Sequence, residues 1–506
     1  MTIELRSLDQ WISDAAQRTP DKVAIKFNDH DISYASLLDN INKRAVDLCN
    51  AGVRRGDRVV WYGLNNPEFF NLLFACARVG VILVPLNWRL AAPEISAILK
   101  NCEPKLVFHD DNFAKAASSL PNVITVALGE TANIVNKAHA DNSKDNVSNN
   151  NTANVLNTST ANLDDPLLLV YTSGSTGTPK GVVLTQRALS CNATMSVDAH
   201  KMCSDDIVLA MLPVFHVGGM NIMPTPAFSV GATVLLHERF DADLVCEALS
   251  KTTLAVTVPT AHQAMMASDK WADIDWTQMR GMSIGSTDVP VALVHAMHKL
   301  GIALIQIYGA TETSPLAIYQ RLGESIDKVG SIGRAGCACD IRLVVDNKDV
   351  SPGEPGEIWV KGDNVLSKYW RNPQLSKEML QDGWWHTGDL ATMDESGLLW
   401  FADRIKHVII SGGENIYPTE IERIINQMPD VTEVSVVGQA NEKWGEIPVA
   451  VVVSNKTLRP EDILNSLNGQ IANYKLPKKV VFVEALPRNA TGKIVAEKVR
   501  KLIATA

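Results

Sequence analysis

Along the first 130 residues, helix-like and strand-like hydrophobic patterns alternate. "YASLLDNINKRAVDLCNAGV" spaces its apolar residues at helical intervals and stops at Gly52, whereas "DRVVWYGL" reads as a strand. "PEFFNLLFACARVG" is a helix ending at Gly80, and "VILVPL" a further buried strand. Strands that alternate with amphipathic helices predict helices layered on a mainly parallel sheet. The pattern lapses from Thr131 to Pro166, where Asn, Ser, Thr and Ala dominate. With so few large apolar side chains, 131–163 is expected to be a flexible surface insertion, not a site. "LLLVY" (167–171) resumes as a buried strand that runs directly into a glycine-rich loop.

The texture changes again near "FADRIKHVIISGGENIYP". Two β-rich runs follow, "EVSVVG" and "VAVVVS", and then a closing helix. Val495, Val499, Leu502 and Ile503 fall at i, i+4, i+7 and i+8, which predicts one apolar face. The expected division is a large unit over 1–403 and a small α+β unit over 404–506, hinged near Arg404–Lys406.

Composition narrows the function. The chain has 506 residues, 46% hydrophobic and 20% charged, with a net charge of −9. That balance supplies a large core and argues against a nucleic-acid-binding surface. Of the eight cysteines only Cys337 and Cys339 lie close together, without the second ligand pair that a zinc site needs. "MTIELRSLDQW" lacks the basic-then-apolar order of a signal peptide. "FFNLLFACARVGVILVPL" is interrupted by Arg78 and Pro85 and is too short to span a bilayer. A cytoplasmic protein without a transmembrane segment is expected.

Candidate chemistry begins with "YTSGSTGTPKGV" (171–182). A Walker loop requires a second glycine where Pro179 stands, and Ser or Thr after the lysine where Gly181 stands. It also requires a helix next, whereas "GVVL" favours a strand. The G-x-G-x-x-G dinucleotide fingerprint is absent as well. What remains is an anion-binding loop of a different kind. Thr172, Ser173, Ser175, Thr176 and Thr178 offer hydroxyls, Gly174 and Gly177 allow close backbone approach, and Lys180 adds charge.

"YGATETSP" (308–315), "HTGDL" (386–390), "DRIKHVIISGGENIYPTEIE" (403–422) and "RNATGKI" (488–494) follow in that order. Together these motifs resemble those of the adenylate-forming superfamily of acyl- and aryl-CoA ligases, luciferases and peptide-synthetase adenylation domains. The resemblance covers nearly the whole chain except the Asn-rich insertion. It implies an α/β fold: a large N-terminal domain of layered α/β subdomains with a β-barrel-like part, and a small mobile α+β C-terminal domain. It also implies ATP, Mg²⁺ and CoA. In such a reaction a carboxylate attacks the α-phosphate of ATP, so two anions meet and cations must surround them.

Under this resemblance, Thr172, Ser173, Gly174, Ser175, Thr176, Gly177 and Lys180 hold the departing phosphates. Tyr308, Gly309 and Ser286 border the adenine, and Thr311 meets the α-phosphate. Glu312 with Thr176 ligates Mg²⁺, while Asp389 and Arg404 hold the ribose. Lys493 bridges the acid and the α-phosphate. Rotation about Lys406 then withdraws Lys493 and presents Gly412, Gly413, Trp444 and Tyr474 to CoA.

The acid is addressed by "LPVFHVGGMN" (212–221), which has no carboxylate to pair with an amino acid's ammonium. With thirteen residues after Lys493, no carrier-protein domain is expected. His216 is expected to border both the acyl pocket and the thiol tunnel. Val217, Met220, Asn221, Gly309, Ala310, Ser314 and Pro315 are the other expected pocket residues. They are small, apolar or neutral, which favours a neutral fatty, aryl or cyclic monocarboxylic acid. "IGSTDVP" (284–290) departs from the usual Gly-Gly-Ala-Pro-type run and leaves the pocket's shape open. An o-succinylbenzoate-type ligase, a luciferase-like enzyme and a non-catalytic nucleotide-binding homologue remain alternatives. The expected partners are the acid, ATP and CoA, with a homodimer left open as the assembly.

Overall fold

The computed structural model describes residues 5–120, 123–128, 162–172, 179–285, 289–324, 329–412, 414–489 and 492–505. Of the insertion expected at 131–163, all but Asn162 and Leu163 lie outside the described residues.

Two largely parallel sheets make up most of the chain before residue 340. The seven-stranded one runs Lys368–Tyr369, Lys180–Thr185, Pro166–Thr172, Ile82–Pro85, Arg58–Tyr62, Leu106–His109 and Ile124–Ala127. The last five are mutually parallel. The nine-stranded one has Leu304–Tyr308, Gly281–Ile284, Leu254–Thr257, Ile207–Ala210 and Thr233–Leu236 at its parallel centre. Short strands such as Ile82–Pro85 and Leu254–Thr257 are buried throughout, as sheets covered on both faces require.

The helix Pro67–Val79 shows how local signals set an element. Asn66 caps it by accepting from the Glu68 N–H at 2.9 Å, Pro67 supplies a preset φ, and Gly80 ends it at φ 73°. Every residue from Phe69 to Val79 is buried. Phe70 and Phe74 meet Phe228 edge-on at 5.2 and 5.3 Å, joining this helix to Pro224–Val230.

The part expected to be β-barrel-like corresponds to an antiparallel six-stranded sheet built on Cys339–Val345, Gly356–Gly362, Trp384–Met393 and Leu399–Arg404. A one-turn 3₁₀ helix, Ile405–His407, leads from it to a separate five-stranded sheet. There the two β-rich runs form a hairpin, Val431–Asn441 with Gly445–Ser454, and Ile409, Ile421, Val436, Ala450 and Ile463 fill its core.

The last helix needs a correction. It spans Ala496–Thr505, so Val495 precedes it, and Val499 and Ile503 are buried while Leu502 is 38% exposed. At 100° per residue Leu502 lies about 80° from the midline between Val499 and Ile503, at the margin of the face. All eight cysteines are free thiols. Among the described residues no helix is long and apolar enough to cross a membrane.

Candidate active site

The strands Pro166–Thr172 and Lys180–Thr185 pair as a hairpin, with Thr172 opposite Lys180 and Tyr171 opposite Gly181. Lys180 therefore stands at the base of the glycine loop and is followed by strand, as the failed Walker count predicts. Ser173, Gly174, Ser175, Thr176 and Gly177 lie outside the described residues, as do Ser286 and Gly413.

The strand Leu304–Tyr308 delivers the next motif. At Gly309 a Cβ would stand 1.6 Å from the Pro315 carbonyl oxygen, so only glycine fits. The chain turns through the 3₁₀ helix Thr311–Thr313, and Ser314 takes φ 74°. Thr313 Oγ1 accepts from the Ala310 N–H at 3.0 Å and donates to the Pro315 carbonyl at 2.7 Å, fixing the turn. Ser314, expected in the acyl pocket, is fully buried and donates its hydroxyl to the Asn364 carbonyl at 2.8 Å. Its side chain secures the turn.

Glu312 projects from this turn. Tyr369 donates its hydroxyl to Oε1 at 3.0 Å, and among the described residues no ammonium or guanidinium pairs with the carboxylate. Burial raises its pKa, opposed by its own backbone N–H, the Tyr369 hydrogen bond and the charges of Lys180 and Arg404.

Asp389 lies opposite Arg404 on paired strands, beside a bulge between Leu390 and Ala391. Arg404 Nε pairs with its Oδ1 at 3.0 Å, and the Tyr308 hydroxyl donates to Oδ2 at 2.9 Å. Burial raises the Asp389 pKa against the pull of Arg404, Tyr308 and Lys493. Tyr308 is pushed well above the usual phenol range by burial and by Asp389, so it stays a donor.

Lys493 enters from the far end of the chain. Its loop is closed by its own N–H to Asn489 Oδ1 and by the Asn489 N–H to its carbonyl, both 2.9 Å. Burial and then Arg404 lower its pKa, whereas Asp389 and Glu312 raise it. The same ammonium acts on His216, whose pKa is lowered to about 4, first by burial and then by Lys493. His216 caps the short helix Val217–Asn221, its Nδ1 accepting from the Gly218 N–H at 3.1 Å. The ring is therefore neutral near pH 7 with its proton on Nε2.

Lys493, His216, Glu312, Asp389, Arg404 and Tyr308 thus converge, and Thr311 is buried on the same turn as Glu312. Two matches span this assembly. Residues 12–370 fit the model for AMP-binding enzymes, and residues 420–493 the model for the AMP-binding enzyme C-terminal domain. The chain belongs to the AMP-binding enzyme family.

Relatives in this family share its full length. An indoleacetate–CoA ligase from Aromatoleum aromaticum is 44% identical, with 98% of each chain covered. A feruloyl-CoA synthase from an Amycolatopsis species is 35% identical, covering 98% of this chain and 99% of its own. The solved o-succinylbenzoate CoA synthetase of Bacillus subtilis, in complex with ATP and magnesium ion, superposes with a TM-score of 0.84 at 28% identity, covering 97% of this chain and 99% of its own. The chain is an AMP-forming acid–thiol ligase that uses ATP, Mg²⁺ and CoA.

Other expected residues of this family member lie elsewhere. Lys406 sits in the 3₁₀ turn, its pKa lowered by burial and by Arg404. Trp444 and Tyr474 are 47% and 43% exposed. Gly412 is not open to a passing ligand in this arrangement: a Cβ there would lie 2.9 Å from the Trp444 ring, and its N–H donates to the Trp444 carbonyl. Among the pocket residues Val217, Met220, Asn221 and Pro315 are buried, whereas Gly309 and Ala310 keep open surface.

Sequence reading missed the residues that hold this frame. Asn65 donates to the Leu212 and His237 carbonyls at 3.0 and 2.9 Å and accepts from the Val214 N–H at 2.8 Å, fixing the approach to His216. Asn192 donates to the Asn221 carbonyl at 2.7 Å and accepts from the Leu316 N–H at 3.0 Å, tying the His216 helix to the Glu312 turn. The available signal was an asparagine set among apolar neighbours in a helix. Arg89, held 4.8 Å over Trp88 and 5.8 Å over Phe215, is a further missed cation, packed on the residue that precedes His216.

Proposed function

We propose that this chain joins an aryl or arylacetic acid to CoA through an acyl-adenylate. The observation that carries the reading is the convergence of Lys493 on Glu312, Asp389, Arg404 and His216, residues drawn from four separate motifs. Lys493 offsets charge where the carboxylate meets the α-phosphate, an interaction that is strongest in the transition state. Asp389, oriented by Tyr308 and Arg404, accepts from the ribose hydroxyls, and the glycine loop with Lys180 receives the pyrophosphate. Glu312 fits a hard divalent cation: it is half-buried, and its carboxylate engages one phenol and no basic side chain among the described residues. Mg²⁺ bound there neutralises phosphate charge.

The small C-terminal part, proposed as 404–506, then rotates about Lys406. Lys493 leaves, and Gly412, Gly413, Trp444 and Tyr474 face CoA. Neutral His216 borders the thiol's path without competing for its charge. The free state of all eight cysteines supports a reducing, cytoplasmic setting.

Support for an aromatic acid comes from the relatives named for indoleacetate and ferulate and from Gly218. A Cβ at Gly219 would stand 2.3 Å from the Pro213 carbonyl oxygen, so that glycine serves the fold. At Gly218 the nearest atoms to a Cβ would be those of His216 at 3.3 Å and Ile222 at 3.9 Å. Its missing side chain leaves room for a substrate ring. Pyrophosphate release across a set of carboxylic acids, with and without CoA, tests the reading. Indole-3-acetate and hydroxycinnamates are expected to lead, with AMP as the nucleotide product. ADP in step with product, or no response to any aryl acid, overturns it.

A further inference from the structure

The segment from Asn364 to Arg371 carries no motif that sequence reading assigned, yet it is bound to two parts of the site at once. Its Leu366 N–H donates to the Glu312 carbonyl at 2.7 Å, and Asn364 Nδ2 donates to the Leu316 carbonyl at 2.8 Å. It then becomes a strand beside the one that leaves the glycine loop: Lys368 lies opposite Val183 and Tyr369 opposite Val182, and the Trp370 N–H donates to the Gly181 carbonyl at 2.7 Å. The backbone of one short strap is thereby fixed to the turn of Glu312 and to the residues just after Lys180.

Tyr369 connects the two through its side chain. It is 4% exposed, and its hydroxyl donates to Glu312 Oε1 at 3.0 Å while accepting from Trp385 Nε1 at 3.3 Å. A phenol has one proton. Because the indole N–H occupies its acceptor side, that proton is directed at the carboxylate. A glutamate on a one-turn helix otherwise loses several torsional freedoms when it binds a cation.

We propose that Tyr369 is a positioning residue, holding the Glu312 carboxylate oriented toward the strand of Lys180 and so setting the affinity for the divalent cation that accompanies ATP. The inference rests on the reading of Glu312 as the cation's protein ligand. Removing the hydroxyl frees the carboxylate to rotate, and the cation must then order it on binding.

The test is binding of Mn²⁺ to the full-length protein with a non-hydrolysable ATP analogue, followed by electron paramagnetic resonance, in Tyr369→Phe, Glu312→Gln and the double variant. Tyr369→Phe is expected to weaken Mn²⁺ binding roughly tenfold, the scale of one hydrogen bond to a charged group. In the Glu312→Gln background the same change is expected to add nothing, because the hydroxyl acts only through the carboxylate. Unaltered Mn²⁺ binding in Tyr369→Phe, with loss in Glu312→Gln, overturns this inference alone. Unaltered binding in Glu312→Gln overturns the ligand reading and this inference together. Additive losses show a general structural role and also overturn it. Should Tyr369→Phe fail to fold, Trp385→Phe replaces it. Freeing the acceptor side of the hydroxyl is expected to weaken Mn²⁺ binding about threefold, and no change counts against the proposal.

Discussion

Lys493 is held in tension between its neighbours. Burial and Arg404 favour its neutral form, while Asp389 and Glu312 favour the ammonium. Its pKa therefore lies below the ordinary lysine value of about 10.4. If the ammonium drives adenylation, the active form exists below that pKa and disappears as pH rises through it. Pyrophosphate release is expected to show an alkaline limb below the range of a free lysine. Thioester formation from presynthesised acyl-adenylate is expected to lack it, and an identical limb in both reactions excludes Lys493 as its source. A second residue acts on stability. His262 is fully buried, neither ring nitrogen has a hydrogen-bond partner among the described residues, and burial lowers its pKa to about 4. Unfolded, it titrates near ~6.5. Between these values the unfolded chain binds the extra proton, so the neutral-ring stability is complete above pH 6.5 and is lost as pH falls. His262→Phe keeps the edge contact to Trp271, 5.7 Å between ring centroids, and removes the titration. Tm between pH 7 and 5 is expected to fall less steeply in this variant, and an unchanged slope refutes the assignment.

Among the elements, the proposed function puts size selection at the helix Val217–Asn221. Its first turn is anchored by His216 Nδ1 through the Gly218 backbone N–H, and a Cβ at 218 would stand 3.3 Å from that nitrogen. Gly218→Leu is expected to lower kcat/KM for indole-3-acetate at least about tenfold, on the scale of a few methylenes in an apolar pocket. Benzoate, which needs less depth, is expected to change by less than about threefold. Equal losses for both acids indicate damage to His216 rather than a narrower pocket. The elements themselves were largely legible: the apolar periodicity and the Asn66, Pro67 and Gly80 signals mark the helix Pro67–Val79, and "GVVL" marks the strand after the glycine loop. Tyr369 on Glu312 and Asn192 between Asn221 and Leu316 were not legible. These pairings join residues 57 and 124 positions apart, and an asparagine that bonds backbone groups leaves no periodic trace. Nor was the Trp444 ring beside Gly412 legible, where a Cβ would come within 2.9 Å of it in this arrangement.

At the scale of the whole molecule, Lys493 lies inward beside Asp389 and Glu312, while Trp444 and Tyr474 are exposed; under the proposed function this is the adenylating arrangement. The link between the two parts is the single turn Ile405–His407, closed by the Val408 N–H to the Arg404 and Ile405 carbonyls. Among the described residues the Lys406 N–H donates no backbone hydrogen bond in that turn, and the φ typical of a 3₁₀ turn is close to the value that proline imposes. Lys406→Pro therefore preserves the present arrangement and resists any other that needs a different φ. Pyrophosphate release is expected to stay within about fivefold of the parent enzyme. Thioester formation from acyl-adenylate is expected to fall by about 10²-fold or more, since the barrier now includes a blocked hinge. Lys406→Ala separates the hinge from the charge, because it removes the ammonium beside Asp389 while leaving φ free. Lys493→Ala supplies the opposite pattern, losing about 10²–10³ in adenylation and little in transfer. Measuring both half-reactions on all three variants distinguishes a rotating small domain from a fixed site. If Lys406→Pro transfers the acyl group to CoA as fast as Lys406→Ala, no rotation about this turn takes place. One arrangement must then carry out both steps with Lys493 still inside.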